Sequence, residues 1–182
     1  MNYANIKKYD ISNGTGIRIS LYVSGCRNHC KGCFNQETWD FNYGKKYTLD
    51  TQNEIIDELK KSYINGITIL GGEPMEEENQ EYVYNLIKEI RDIFNFNKSI
   101  WLFSGYKIEE LKSKKYTKFT NKILDNIDIL VDGKFIEELK NISLRFRGSE
   151  NQRIIDMKKT RELYPDYSNI ILWEGMNNRD KS

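Results

Sequence analysis

Short apolar runs alternate with longer amphipathic stretches along the chain, and the two kinds of pattern predict different elements. Four runs rich in β-branched or aromatic residues favour strands, at 17–23, 67–70, 99–103 and 127–131. Apolar residues at helical spacing predict a helix at 50–65, with Ile55, Ile56, Leu59 and Tyr63 on one face, and another at 81–94, with Val83, Leu86, Ile87 and Ile90. The pattern also indicates short helical pieces at 108–111 and 119–126, a helix or turn at 135–139, and further strands at 152–157 and 168–173.

Strands that alternate with helices predict an α/β fold with a mostly parallel sheet. Sites in such folds lie at the carboxyl ends of the strands. Four polar or glycine-rich segments directly follow predicted strands, and we expect them to meet on one rim: the cysteine loop 26–33, Gly71-Gly72-Glu73-Pro74, Ser104-Gly105-Tyr106 and Asp132-Gly133. A complete eight-stranded barrel needs about 250 residues. The 182 residues therefore predict a partial, open (β/α) barrel in one domain, 1–182.

Composition and charge limit the partners and the cellular location that we expect for the protein. The net charge of +1 marks no nucleic-acid or membrane surface, so we expect neither as a partner. No apolar run approaches the roughly 20 residues of a membrane span, and the polar residues 1–10 lack a secretory signal. We therefore predict a cytoplasmic protein, in which the cysteines are reduced thiols.

The three cysteines all lie in one loop, where Cys26, Cys30 and Cys33 have the spacing C-x3-C-x2-C. Thiolates are soft ligands that suit iron–sulfur clusters or zinc. Three of them leave one iron of a [4Fe-4S] cluster open to a small molecule. Structural zinc needs four ligands, and the only histidine, His29, is awkwardly adjacent to Cys30. A zinc site is therefore the less favoured alternative.

The cysteine spacing after the first predicted strand, together with Gly71-Gly72-Glu73-Pro74 after the second, resembles the radical S-adenosylmethionine (SAM) superfamily. The resemblance implies a barrel of the radical SAM type and two cofactors, a [4Fe-4S] cluster on the three cysteines and S-adenosyl-L-methionine on the open iron. An electron from the reduced cluster would break the S–C5′ bond of SAM and give methionine and a 5′-deoxyadenosyl radical. It also implies that Gly71, Gly72 and Glu73 contact the amino group of SAM, since glycines let a backbone approach a ligand closely.

Further stretches resemble one family within this superfamily, the activating proteins of anaerobic ribonucleoside-triphosphate reductase: 13–18, 23–26, 30–35, 37–39, 101–106, 131–135 and 147–153. This resemblance implies that the chain generates a glycyl radical on the reductase, in a glycine-containing segment near the reductase's C-terminus. It also implies a flavodoxin-like or ferredoxin-like electron donor and an anaerobic setting. Residues after about 157 carry no motif of the family.

The resemblance further implies roles for individual residues. Many superfamily members have an aromatic residue just before the third cysteine; here Gly32 takes that place and Phe34 follows Cys33, so we expect Gly32, Cys33 and Phe34 to contact the adenine. Ser104 would hydrogen-bond the SAM carboxylate or ribose, or simply form a turn. Asp132, Arg147 and Arg153 stay open, because each suits a contact with SAM or the partner as well as a structural turn or loop. No catalytic residue is expected beyond the cluster and SAM.

Three alternatives remain at the level of the sequence. The chain could activate a different glycyl-radical enzyme, or carry out radical chemistry on a small molecule such as a pterin precursor. It could also be a non-catalytic zinc- or cluster-binding regulator. That last alternative predicts no SAM binding and no requirement for residues 71–74.

Overall fold

The computed structural model describes residues 1–113 and 117–175. Its strands are β1 Asn2–Asp10, β2 Arg18–Val23, β3 Lys45–Lys46, β4 Gly66–Gly71, β5 Ser99–Ser104, β6 Ile129–Asp132 and β7 Arg153–Asp156. Its helices are α1 Leu49–Leu59, α2 Glu77–Phe94, α3 Ile108–Ser113, α4 Thr120–Leu124 and α5 Met157–Leu163. Short 3-10 helices occupy Gln36–Trp39 and Glu137–Leu139.

All the strands belong to one seven-stranded sheet with the order β3-β1-β2-β4-β5-β6-β7. The four central strands, β2, β4, β5 and β6, are parallel, whereas β1, β3 and β7 pair antiparallel at the two sides. Within the described chain β3 and β7 are edges, so the sheet is open rather than closed into a barrel. The predicted α/β fold with an open, mostly parallel sheet is therefore confirmed at this level.

The two faces of the sheet are covered differently. Alternate strand residues such as Leu21, Ile69 and Leu102 point to one face, where they form the main core with the apolar sides of all five helices. The opposite face carries a smaller cluster around Trp101, together with polar groups such as Arg18. Because the helices lie on one face only, the other face is left free to line a cleft.

Two structured elements have no strand- or helix-forming pattern that we detected in the sequence. The N-terminal strand β1 is rich in polar residues because it is half-exposed and pairs outside the hydrophobic centre of the sheet. Helix α5 begins with a side-chain cap, in which Asp156 accepts a hydrogen bond from the Lys159 N–H. Both depend on contacts with β2 or β6 that local periodicity does not report.

Two predicted elements need correction. The first long helix ends at Leu59 instead of continuing to 65, and Tyr63 lies outside it and is half-exposed, while Ile64 enters the core. The chain must turn there because Gly66 begins β4, packed so closely that an added Cβ would lie 1.9 Å from the Ser99 carbonyl oxygen. The predicted strand 168–173 is wrong, because it forms only one isolated bridge, between Leu172 and Ile155. Side chains of Asp166 and Asn169 bond the following N–H groups and favour turns there.

Candidate functional site

The cysteine loop leaves the carboxyl end of β2 and folds back on itself. Gly25 has a positive φ of 96°, its N–H bonds the Thr38 carbonyl at 2.8 Å, and the Cys26 N–H bonds the Trp39 carbonyl at 3.2 Å. These bonds hold the two ends of the loop side by side. All three cysteines are free thiols and line one cleft of about 540 Å³.

The four segments that follow strands in the sequence meet around this cleft, as predicted. The lining includes Cys26, Cys30 and Cys33 of the loop, Gly71, Gly72 and Glu73 after β4, Ser104 and Gly105 at β5, and Gly133 after β6. Parallel strands bring their carboxyl ends to the same edge of a sheet, so the topology produces this convergence.

Glu73 connects three of these segments through its buried carboxylate, which is 1% exposed. One oxygen accepts from the Ser104 hydroxyl at 2.8 Å and from the Met75 N–H at 3.0 Å. The other accepts from the Gly105 N–H at 2.7 Å and from Asn28 Nδ2 at 3.1 Å. The geometry thus gives Glu73 a positioning role, because its carboxylate ties the cysteine loop to β5.

Burial also affects the proton on Glu73. Removal from water raises its pKa to about 7, although the hydrogen bonds from Met75, Gly105 and Ser104 favour the ionised form. Near neutral pH this carboxyl is therefore a mixture of ionised and protonated forms.

The glycines at 71 and 72 let two pieces of backbone touch. A Cβ on Gly72 would lie 2.8 Å from the Gly25 carbonyl oxygen and 3.0 Å from that of Thr38, and Gly71 has a φ of 107°. The N–H groups of Gly72 and Glu73 bond the carbonyls of Val23 and Gly25 at 2.7 and 2.8 Å. Gly72 thus allows a close approach to the backbone beside the cysteine loop, and Gly71, Gly72 and Glu73 also line the cleft, so their contact with SAM stays a prediction.

Cys26 and Cys30 carry thiols whose pKa values are raised by burial. Burial raises the pKa of Cys26 to about 11, against the favourable N–H groups of Asn28 and His29. Burial is also the largest cause of the raised pKa of Cys30, and the charge of the nearby Cys33 is the second. The Phe135 N–H opposes this shift. A metal or cluster bound here must therefore displace protons and supply the positive charge that keeps thiolates ionised.

The aromatic side of the cleft comes from two separate parts of the chain. Phe34, 63% exposed, contacts Phe135 with ring centroids 5.2 Å apart, and Lys140 lies 5.0 Å above the Phe34 ring. Gly32 has a φ of 70° and does not line the cleft; its α-carbon faces Glu137. The adenine contacts predicted for Gly32, Cys33 and Phe34 stay a prediction, and of the three only Cys33 and Phe34 line the cleft.

The residues left open by the sequence take different positions. Asp132 is fully buried and accepts from Arg153 Nε and Nη2 at 2.8 and 2.6 Å, and from the Ile108 N–H at 2.9 Å. Arg153 also pairs with Glu109 at 2.8 Å. This network joins β6, β7 and α3 and does not line the cleft. Arg147 does line it, and donates to the Gln152 carbonyl at 2.7 Å.

Sequence reasoning missed several residues that shape the site. Asn28 lines the cleft, and its buried Oδ1 has no hydrogen-bond partner among the described residues. Arg27 pairs at 2.8 Å with the buried Glu76, which also accepts from the Tyr106 hydroxyl at 2.8 Å. The acidic run after Pro74 is the signal that could have indicated this anchor for the loop.

The environment of His29 does not support a role as a ligand in a tetrahedral metal site. Its ring stacks on Trp39, with centroids 4.6 Å apart and planes 9° apart. Across residues 1–113 and 117–175, no group of three His, Cys, Asp or Glu side chains is arranged to hold a single metal ion. In the same ranges, no helix combines the length and apolar character required to cross a membrane.

Comparison with known proteins agrees with this site. Residues 12–155, well over half of the chain, match the family model of a 4Fe-4S single cluster domain. The protein, which has an open α/β sheet and three cysteines at one cleft, thus belongs to the class of single-cluster iron–sulfur proteins.

Individual relatives narrow the class to one family. The anaerobic ribonucleoside-triphosphate reductase-activating protein of Escherichia coli (strain K12) is 40% identical over 154 residues, or 84% of this chain and 96% of that protein. The protein of the same name from Enterobacteria phage T4 is 39% identical over 154 residues, covering 85% and 93%. That of Vibrio cholerae serotype O1 is 40% identical over 156 residues, covering 85% and 97%. The chain belongs to this family of reductase-activating proteins, and the resemblance found in the sequence is confirmed.

Proposed function

We propose that this chain is a radical SAM activating enzyme, which cleaves S-adenosyl-L-methionine reductively and generates a glycyl radical on anaerobic ribonucleoside-triphosphate reductase. The observation that carries the proposal is the convergence of Cys26, Cys30, Cys33 and the Gly71–Glu73 turn on one cleft. The α/β sheet is then a partial barrel of the radical SAM type, within a single domain over 1–182. The names of the family's relatives support the reductase as the partner.

The residues present fit a [4Fe-4S] cluster with one open iron. Cys26, Cys30 and Cys33 would hold it, because they are three thiols on one loop and their side chains reach one cleft. His29 is engaged with Trp39, which leaves the fourth position to a small molecule. The cluster supplies, when bound and reduced, the electron that breaks the S–C5′ bond of SAM.

The residues around the cysteines fit SAM beside such a cluster. Asn28 Oδ1 is buried and has no hydrogen-bond partner within residues 1–113 and 117–175. A cation or N–H donor bound near it would satisfy this oxygen, since an unpaired buried acceptor costs about 1–3 kcal/mol. The SAM ammonium is such a donor. Phe34 and Phe135 offer apolar ring surface for the adenine. Glu73 and Ser104 hold the cysteine loop against β5, and their direct contact with SAM is part of the proposal.

The remaining parts of the proposal concern the setting. The substrate is the reductase's glycine-containing C-terminal segment, and a flavodoxin-like or ferredoxin-like protein donates the electron. Three free thiols and an oxygen-sensitive cluster require reducing conditions, so we infer an anaerobic cytoplasmic setting.

The decisive experiment is anaerobic reconstitution with iron and sulfide, followed by reduction with dithionite in the presence of SAM. We expect 5′-deoxyadenosine from the wild type and none above background from Cys30→Ala. Adding the reductase should produce a glycyl-radical signal in electron paramagnetic resonance. A protein that assembles the cluster yet forms no 5′-deoxyadenosine, even with the reductase present, would favour a cluster-binding regulator instead.

A further inference from the structure

A hairpin-like excursion between β6 and β7 forms one wall of the cleft. Lys140 and Ser149 form an antiparallel bridge, and the Glu150 N–H bonds the Leu139 carbonyl at 2.9 Å. Phe146 anchors this segment by packing edge-on against Trp101, with centroids 5.3 Å apart. The segment 139–150, which we call the rim hairpin, is thus held at its base while its tip projects.

The tip of the rim hairpin presents apolar side chains to solvent at the mouth of the cleft. Ile142 is 92% exposed, the highest value among the large apolar side chains of the described residues. Ile142 and Leu144 both line the cleft that contains the cysteines. Exposed apolar groups beside a functional cleft are typical of binding surfaces.

The rim hairpin also carries two cations, Lys140 at its base and Arg145 at its tip, for which the described residues supply no carboxylate partner. Neither Lys140 nor Arg145 has an ion pair with a carboxylate within the described ranges 1–113 and 117–175; each lies instead over an aromatic ring. Glu150, an acid within the segment, accepts from the Asn141 side chain at 3.0 Å, and Glu137 and Glu138 just before the segment pair with Lys31. The rim hairpin therefore complements a ligand that has an apolar side chain beside an acidic one.

We propose that the rim hairpin docks the reductase, by binding an extended glycine-containing segment with an apolar side chain against Ile142 and Leu144 and a carboxylate near Lys140 and Arg145. This inference rests on the proposed function and adds the surface that recognises the substrate. Complementary charge accelerates and orients such an encounter.

The test measures the binding of the purified anaerobic reductase to the reconstituted, full-length activating protein under anaerobic conditions. We expect Ile142→Ser and Arg145→Glu each to raise the dissociation constant at least tenfold, and the Arg145→Glu loss to shrink at high salt because charge pairs are screened. The matched controls are Leu163→Ser and Lys158→Glu on α5, which lies beside the amino-terminal end of β6, away from the cleft. Both controls should bind like the wild type. The iron content of every variant is compared, so that loss of the cluster is not mistaken for loss of docking.

The outcomes separate this inference from the proposed function. Wild-type affinity in both rim-hairpin variants would overturn the docking proposal. So would a change in the self-association of Ile142→Ser with no change in reductase binding, since the tip would then contact a second copy of the chain. A wild type that makes no 5′-deoxyadenosine would refute the proposed chemistry, while the binding data would still decide the docking surface.

Discussion

The cysteine thiols show how the fold sets the chemistry of single residues. Cys26 is only 8% exposed, and burial raises its pKa to about 11, whereas free thiols have pKa values near 8.5. The cluster-free protein therefore keeps this ligand as an unreactive thiol at neutral pH. Cluster assembly has to remove its proton.

We expect slow alkylation of Cys26 by iodoacetamide in the cluster-free protein at pH 8. A pKa of about 11 leaves roughly one thiol in a thousand ionised, and the thiolate is the reacting form. Peptide mass spectrometry should show Cys26 reacting at least tenfold more slowly than a cysteine in an unfolded control. Equal rates in the folded and unfolded proteins would contradict the raised pKa.

Glu73 should make the stability of the cluster-free protein depend on pH. The pKa of Glu73 is about 7 in the folded protein, compared with the ordinary value of 4.5 that we take for the unfolded chain. The folded protein therefore binds this proton more tightly. Stability then falls as pH rises from about 4.5 to about 7, by roughly 3 kcal/mol for this group, and levels off above that range. Urea unfolding of the wild type and Glu73→Gln at several pH values measures the effect.

The Glu73→Gln variant should lack this fall, because glutamine does not titrate. It should also be less stable by about 1–3 kcal/mol at low pH, since its amide nitrogen faces N–H and O–H donors. The exposed Glu81→Gln is the control and should follow the wild-type curve. Parallel curves for Glu73→Gln and the wild type would show that Glu73 is not the titrating group.

At the scale of elements, the turn after β4 and the cysteine loop form one unit. The Gly72 and Glu73 N–H groups bond the carbonyls of Val23 and Gly25, just before the loop, and the Glu73 carboxylate accepts a hydrogen bond from Asn28 within it. The loop also contacts the connection after β6, where the Lys31 ammonium lies 3.1 Å from the Glu137 carboxylate. The loop geometry therefore depends on two neighbouring connections as well as on its own sequence.

Gly72→Ala should lose the cluster because the new methyl group would overlap the carbonyls of Gly25 and Thr38 and displace the loop. We expect an iron content below a quarter of the wild type after reconstitution, and a loss of about 1–3 kcal/mol in stability. Gly133→Ala is the control: it strains a φ of 101° but has no atom within 3.4 Å of the added carbon. It should lose about 1–2 kcal/mol and keep its iron. Equal iron in both variants would mean that the close approach does not position the cysteines.

At the scale of the whole molecule, the site unites segments from most of the chain. The cleft is lined by residues from Ser12 to Gln152, and the strands that carry them share one sheet. A cluster bound by the three cysteines within this cleft stabilises the folded state if it binds that state more tightly than the unfolded chain.

The reconstituted protein should therefore unfold at a higher temperature than the cluster-free protein. If the cluster is held at about a hundred times its dissociation constant, the gain is about 2.7 kcal/mol, or roughly 5–10 °C for a chain of this size. Anaerobic circular dichroism measures both midpoints. Cys30→Ala, treated in the same way, should show no gain, and a gain that persists in this variant would place the iron elsewhere.

The sequence alone determined those features that depend on local pattern and spacing. The four central strands, the long helices and the C-x3-C-x2-C loop follow from periodicity and from residue chemistry, and the order of the strands predicted their shared rim. The family followed from motifs. These signals are local or ordered along the chain, so a linear reading detects them.

Only the tertiary structure decided which of the conspicuous residues serve the site directly. Asp132 and Arg153 neutralise each other away from the cleft, and Glu73 ties the loop to β5. Asn28 presents a buried oxygen that has no hydrogen-bond partner in the described part of the chain. Each of these outcomes depends on partners 21 or more positions away in the chain, which no local pattern specifies. Strand β1 and the rim hairpin escaped prediction for the same reason: their structure comes from pairing and anchoring across the fold rather than from their own sequence.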